Sequence, residues 1–316
     1  MEIAALAGGI GASKLLVGLS GAMDPRELTI IVNTGDDIVL HGLAISPDLD
    51  IVTYSLAGLV NPETGWGFRD DTFRAHEQLA VYGRPAWFNL GDRDLATHIH
   101  RTAMLREGAA LSETAESIRL ALGVKAKILP MSDQPVPTLI NTEQGWLNFQ
   151  EYLVQRRAEP VVREIRFDGI ERALPAPGVL GSLERAAVIV ICPSNPLISI
   201  GPILAVPGIR EALRKRRKDV VAVCPIVGGK SLKGPSDRML AQLGFDVSAS
   251  GVARMYQDIC GTFLIDTVDA GERPAVEALG MKAVVCSTVM HTLEDKKRLA
   301  ADVLQPFVER TAGAGR

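Results

Sequence analysis

Short apolar runs alternate with amphipathic stretches through most of this chain, and the alternation predicts strands and helices in turn. Glu2-Ile-Ala-Ala-Leu-Ala7 reads as a first strand, Gly8-Gly-Ile-Gly11 as a tight turn, and Ala12–Leu19 as the helix that follows. Leu28-Thr-Ile-Ile-Val-Asn33 is β-branched and almost wholly apolar, as a strand covered on both faces by helices reads. Similar runs occur at Ala187–Ile191, Asp219–Cys224, Phe263–Asp266 and Lys282–Cys286. Helical patterns lie between them near Ile209–Lys218, Ser236–Leu243, Gly251–Cys260 and Leu293–Arg310. Such alternation predicts an α/β fold, a Rossmann-like, doubly wound and mainly parallel sheet.

The middle of the chain breaks this rhythm. Three helical segments crowd between Thr72 and Leu122, and strand-like alternation runs from Leu129 to Arg172, as in Pro137–Thr142 and Val161–Phe167. The expected organisation is a nucleotide-binding core from residues 1–50 and 180–316, with 51–179 an inserted helical and β subdomain over the site. The last residues, Thr311–Arg316, read as a frayed tail.

Composition narrows the function classes. A chain of 316 residues with 47% hydrophobic and 22% charged content can bury a substantial core. A net charge of −3 provides no electrostatic footprint for nucleic acid or anionic membranes. The basic run Arg214–Lys218 closes a predicted helix and suits the negative end of its dipole. The four cysteines, Cys192, Cys224, Cys260 and Cys286, lack Cys-x-x-Cys spacing and read as buried free thiols of a reducing compartment. No apolar stretch reaches membrane-spanning length, and the chain starts on a strand-like segment rather than a signal, so a cytoplasmic protein is expected.

Candidate chemistry gathers at the ends of the predicted strands, where open α/β sheets bind ligands. Asn33-Thr-Gly-Asp-Asp37 and Ser46-Pro-Asp-Leu-Asp50 place Asp36, Asp37, Asp48 and Asp50 at one strand mouth, a pattern that suits a divalent cation. Asp, Gly and Pro also suit tight turns, and Asp37 and Asp48 remain open to that role. The glycines Gly8, Gly9 and Gly11 let backbone N–H groups and the helix dipole approach a phosphate, and Lys14 can reach the same anion or face solvent. The P-loop ending and the dinucleotide fingerprint are both absent, which weakens ATP hydrolysis and NAD binding.

Two further loops have the same character. Cys192-Pro-Ser-Asn-Pro196 stiffens Ser194 and Asn195 between prolines, and Pro225–Ser231 carries Gly228, Gly229 and Lys230, followed by Lys233-Gly-Pro235. Together the three loops predict an extended, phosphate-bearing ligand. Leu90–Ile99 starts a helix with Asp92 as expected N-cap and Arg93, Thr97 and Arg101 on one polar face. His98-x-His100 has the wrong spacing for a joint metal site on a helix. Trp66, Trp87 and Phe88 flank the region as packing or as a platform for a flat ligand.

These motifs, with Pro130-Met-Ser-Asp133, Phe149-Gln-Glu151, Ser199-Ile-Gly-Pro202 and Gly228-Gly-Lys230, resemble the 2-phospho-L-lactate transferase family over nearly the whole chain. The resemblance implies a Mg²⁺-dependent transfer of a phospho-acid from a guanosine diphosphate-linked donor to the ribityl hydroxyl of the deazaflavin Fo. GMP leaves, the product belongs to coenzyme F-420 biosynthesis, and the assembly is a homodimer. Carried over, Asp36 and Asp50 become metal or Fo-site carboxylates, and Asn89 and Arg93 line the Fo pocket. The glycine loop, Thr34 and the Pro193–Pro196 loop then face the guanosine diphosphate. Asp50 and Asp37 are candidate proton acceptors and Arg93 a candidate charge stabiliser. The alternative is a nucleotide-sugar-binding regulatory protein of a similar, non-enzymatic branch, which has less reason to keep the Leu90–His98 helix start and Phe149-Gln-Glu151.

Overall fold

In the computed structural model, which describes residues 1–313, the chain winds about a seven-stranded sheet. Its strands are β1 (Ile3–Ala7), β2 (Leu28–Val32), β3 (Lys127–Pro130), β4 (Val188–Ile191), β5 (Val220–Val223), β6 (Thr262–Asp266) and β7 (Lys282–Cys286). They are all parallel and stand in the order β3-β2-β1-β4-β5-β6-β7. The expected doubly wound α/β fold is therefore present.

Alternation along β1 shows why its sequence is apolar at every position. Ala4 and Leu6 belong to the core on one face, while Ile3, Ala5 and Ala7 belong to the core on the other. β4 repeats the division, with Ile189 and Ile191 on the first face and Val188 and Val190 on the second. A strand roofed on both sides has no polar face to offer.

The chain moves from β1 to β2 on one side and returns to β4 on the other. A crevice opens where the strand order reverses, beyond the carboxyl ends of β1 and β4, which is where such sheets bind ligands. Helix α1 (Gly9–Ala22) starts immediately after β1, and α2 (Pro47–Leu56) packs against it. Between β2 and α2 a hairpin, Ile38–Leu40 with Leu43–Ile45, turns at His41-Gly42 with positive φ at both residues, the conformation that two-residue hairpins require.

Residues 51–179 contain the three expected helices, Arg74–Val81, α3 (Asp92–Arg106) and Leu111–Ala121, and an antiparallel sheet of Thr138–Thr142, Gly145–Asn148 and Val162–Phe167. The interval also supplies β3, which pairs with β2 as the edge of the main sheet, so it is not wholly an insertion. The final helix, Leu293–Gly313, overruns the expected frayed tail, whose last residues, 314–316, lie outside the described ones. Cys192, Cys224 and Cys260 are buried free thiols and Cys286 is half-buried. No described helix is long and apolar enough to cross a membrane.

Candidate active site

The crevice between β1 and β4 is closed at its floor by direct contact between the two loops. Ser194 Oγ donates to the Gly8 carbonyl at 2.8 Å, and a β-carbon on Gly11 would lie 2.3 Å from the Pro193 carbonyl oxygen. Glycine at position 11 is what lets the loops touch. The start of α1 and the Pro193–Asn195 loop thereby form one continuous wall.

Asn33, at the end of β2, organises the carboxylates. Its amide nitrogen donates to Asp36 Oδ1 at 2.9 Å and to Asp48 Oδ2 at 2.9 Å, while its oxygen accepts from the Gly35 N–H. Asp48 Oδ1 accepts from the Gly9 N–H at 2.8 Å, which ties the acidic cluster to the first turn of α1. Burial raises the Asp36 carboxyl well above the usual range, and the neighbouring charge of Asp48 raises it further. Burial likewise pushes Asp48 up to about 6, against the hydrogen bonds from Asn33 and Gly9. Asp37 is also raised by burial, and its Oδ2 accepts from Ser46 Oγ at 2.7 Å.

Asp50 sits in a different setting. Arg101, at 2% exposure the largest of the fully buried side chains, grips it in a two-pronged ion pair, with Nη2 on Oδ1 and Nη1 3.2 Å from Oδ2. His98 Nδ1 lies 3.7 Å from Asp50 Oδ2, and its Nε2 lies 3.3 Å from Asp94 Oδ2. Tyr54 donates to the other Asp94 oxygen at 2.8 Å. Asp94, His98 and Arg101 share one face of α3, at the spacing that turns a helical stripe toward a single surface.

Two cavities meet at this cluster. One, of about 430 Å³, is lined by Gly8, Gly9, Gly11, Lys14, Ser194 and Asn195, with Asp36 and Asp48 at its edge. Ser231–Ser236, Ser199 and Phe149 close it. Lys14 donates to the Met290 carbonyl at 2.9 Å, and its pKa is lowered by burial and then by the charges of Lys233 and Lys296. The other, of about 360 Å³, is lined by Ile10, Ile51, Tyr54, Trp66 and Phe88, with Asp50, Asp94 and His98 as polar groups. Gly9, Ile10, Asp48 and Leu153 line both. Asn89 and Gln150 face the second cavity, and Leu153 belongs to the π-helical turn Glu151–Gln155 that follows Phe149-Gln-Glu151.

Several expected residues stand elsewhere. Gly228, Gly229 and Lys230 form a hairpin tip, where the Gly228 N–H donates to Asp269, and Ser231–Ser236 occupies the cavity wall instead. Thr34 and Asp37 open onto a third cavity of about 720 Å³, which the hairpin residues Ile38–Leu40 also line. Arg93 is exposed, with its guanidinium 4.7 Å above the Phe68 ring and Nη1 donating to the Arg69 carbonyl, and it lines neither cavity. Asp36 and Asp50, expected as a metal pair, are separated in their contacts, Asp36 with Asn33 and Asp48 and Asp50 with Arg101.

Asp92 is not the cap of α3. Its carboxylate accepts from the Arg74 and Ala75 N–H groups and caps the neighbouring helix, while Asp71 accepts from the Arg93 and Asp94 N–H groups. Arg101, His98 and Asp94 are the site residues that sequence reasoning did not select. Their signal was the period of α3, which repeats polar residues at 94, 98 and 101, one helical face.

Residues 3–304 match the family described as CofD, 2-phospho-L-lactate transferase CofD. The chain is 45% identical over 311 residues to a Streptomyces griseus phosphoenolpyruvate transferase, covering 96% of this chain and 98% of that one. It is 42% identical over 300 residues to the 2-phospho-L-lactate transferase of Methanosarcina mazei, covering 95% and 98%. A solved structure of a UPF0052 family member from Bacillus halodurans superposes with a TM-score of 0.65 at 18% identity, covering 96% of this chain and 98% of that one, a likeness of fold alone. The sequence similarity over the whole length shows that the chain belongs to the CofD family of 2-phospho-L-lactate transferases, enzymes of phospho-acid transfer.

Proposed function

We propose that the protein transfers a phospho-acid from a guanosine diphosphate-linked donor to the terminal ribityl hydroxyl of Fo, releasing GMP, in a Mg²⁺-dependent step of coenzyme F-420 biosynthesis. The observation that carries this reading is the meeting of two unlike cavities at Asp48. The cavity of glycines, Ser194, Asn195, Lys14 and Lys233 suits a nucleoside diphosphate, since backbone N–H groups and lysines neutralise phosphate charge. The apolar cavity with Trp66, Phe88 and Tyr54 suits a flat heteroaromatic ring with a polar tail.

The carboxylate pair Asp36 and Asp48 fits a divalent cation. Both are buried, each shares the Asn33 amide, and both carboxyls are raised above the usual range, which a bound cation would relieve. Asp36 and Asp48 would hold Mg²⁺, which would supply positive charge to offset a diphosphate and the charge developing on the leaving phosphate. Lys14 and Lys233 bind the donor phosphates, and the loop contact between Ser194 and Gly8 keeps the donor wall rigid. Asp50, fixed by Arg101, faces the acceptor cavity, orients the attacking hydroxyl and accepts its proton. A second protomer, cytoplasmic location and the particular acid belong to the same proposal.

The names of the relatives divide between phosphoenolpyruvate and 2-phospho-L-lactate, so both acids enter the test. GMP release is measured with Fo and each guanosine diphosphate-linked acid, with and without a chelator. Turnover that survives chelation would remove the metal, and absence of GMP with every donor would overturn the reaction. Asp50→Asn turning over at the wild-type rate would remove Asp50 as proton acceptor. A protein that binds a nucleotide sugar without binding Fo would instead be the regulator.

A further inference from the structure

The acceptor cavity holds a polar atom that the proposed reaction leaves unused. His98 is 1% exposed, lines this cavity, and its Nε2 has no hydrogen-bond partner. Asp94 Oδ2 is 3.3 Å away, yet the alignment does not make a hydrogen bond.

The other side of the ring settles which nitrogen carries the proton. Arg101 Nη1 lies 3.1 Å from His98 Nδ1, and a guanidinium has hydrogens to give and no lone pair to accept. A proton on Nδ1 would point at those hydrogens. Nδ1 is therefore the accepting nitrogen, and the neutral ring carries its hydrogen on Nε2. Arg101 is held in place by its two-pronged pair with Asp50 and by the Ala44 carbonyl at 3.3 Å.

Asp50, Asp94 and His98 bring ligand atoms within 4.8 Å of one another, a grouping that could be taken for a cation site. The tautomer argues against that, because a protonated Nε2 has no lone pair for a metal, and Arg101 already supplies positive charge to Asp50.

We infer that the Nε2–H of His98, flanked by the carboxylates of Asp50 and Asp94, is a specificity-determining donor that recognises a hydroxyl group of the acceptor. A hydroxyl accepts from the N–H and gives its own hydrogen to a carboxylate, so both kinds of partner are satisfied by one oxygen. A carbonyl oxygen would face the carboxylates with no hydrogen to offer, and an ammonium would face the N–H. The acceptor recognised is thus a polyol chain bearing inner hydroxyls besides the one that reacts. This rests on the reading of the cavity as the acceptor site. Arg101 acts through His98 and is a positioning residue.

The test compares Fo with an Fo analogue whose inner ribityl hydroxyls are replaced by hydrogen, in wild type, His98→Gln and His98→Asn. Glutamine brings an amide N–H near the Nε2 position, whereas asparagine reaches only the Nδ1 position. Wild type is expected to prefer Fo in kcat/KM by on the order of 10- to 100-fold, because a site built around a hydroxyl leaves polar groups unpaired without it. His98→Gln keeps most of that preference, His98→Asn loses it, and the KM for the donor stays unchanged in both. A preference undiminished in His98→Asn overturns the inference.

Ring-nitrogen NMR of His98 in the wild-type protein gives a readout independent of turnover. Nε2 protonated in the free protein, with a resonance shifted by Fo and not by the deoxy analogue, supports the inference. A proton on Nδ1, or equal shifts by both ligands, overturns it. Fo that binds without GMP release would defeat the proposed reaction while leaving these resonances to decide the role of His98.

Discussion

Gly11 lies against Pro193 so closely that a β-carbon there would fall 2.3 Å from the proline carbonyl oxygen. The contact joins the loops after β1 and β4, and the cavity of about 430 Å³ is built on both of them. Gly11→Ala has to push against backbone rather than a flexible side chain. A loss of ~1–3 kcal/mol in stability is expected, as for overpacking of a tight interior contact. Urea unfolding and GDP titration check this; unchanged stability together with unchanged affinity would show that the loops part without cost.

Arg101→Met removes the partner of a buried carboxylate and fills its place with hydrocarbon. Breaking such a pair on one side is expected to cost ~3–5 kcal/mol, because Asp50 keeps its burial and loses its compensation. Arg101→Met combined with Asp50→Leu should recover part of that loss, while Fo binding stays impaired. Denaturant unfolding of both variants beside wild type and Fo fluorescence titration separate the two effects.

Acid stabilises the metal-free protein through Asp48, with Asp36 and Asp37 shifted in the same direction. Between the ordinary value of 3.8 and about 6 the folded chain binds a proton at Asp48 that the unfolded chain has released. By linkage, stability then falls as pH rises through that window, and the gain is fully present below its lower edge. Thermal melts of chelated protein should therefore show Tm falling from the acid side toward neutrality, and Mg²⁺ added at neutral pH should restore it.

Asp36→Asn keeps an oxygen for the Asn33 amide and removes a like charge from beside Asp48. The metal-free variant is expected to melt ~2–4 °C above metal-free wild type, and Mg²⁺ should no longer raise its Tm. A stabilisation by Mg²⁺ equal to that of wild type would place the cation elsewhere.

Lys14→Met and Lys233→Met test the donor side. Both lysines line the cavity of the glycine loop, and the charge of Lys233 acts on Lys14. Each change is expected to raise the donor KM about tenfold, as for a lost charge-assisted contact, with Fo affinity unaltered. Steady-state kinetics with the donor varied, repeated at two salt concentrations, reads the effect.

The hydrophobic pattern by itself determined the parallel α/β core, because a strand covered on both faces must be apolar at every position, as Ile3–Ala7 and Val188–Ile191 are. It also determined that polar chemistry gathers after those strands, so Gly8, Gly9, Gly11, Ser194, Asp36 and Asp50 were legible from order alone. The assignment of β3 to the main sheet was not, since Lys127–Pro130 is short and its pairing with β2 is a contact across nearly a hundred residues of chain. Which carboxylates share an asparagine amide and which bind an arginine was likewise decided only in three dimensions. Asp48 joins Asp36 through one asparagine amide, and Asp50, two residues further on, turns to Arg101 on another helix. Sequence spacing says that such groups reside at the same strand mouth, but the direction of each side chain, and so its charge partner, is set by the packing of α2 and α3 around the crevice.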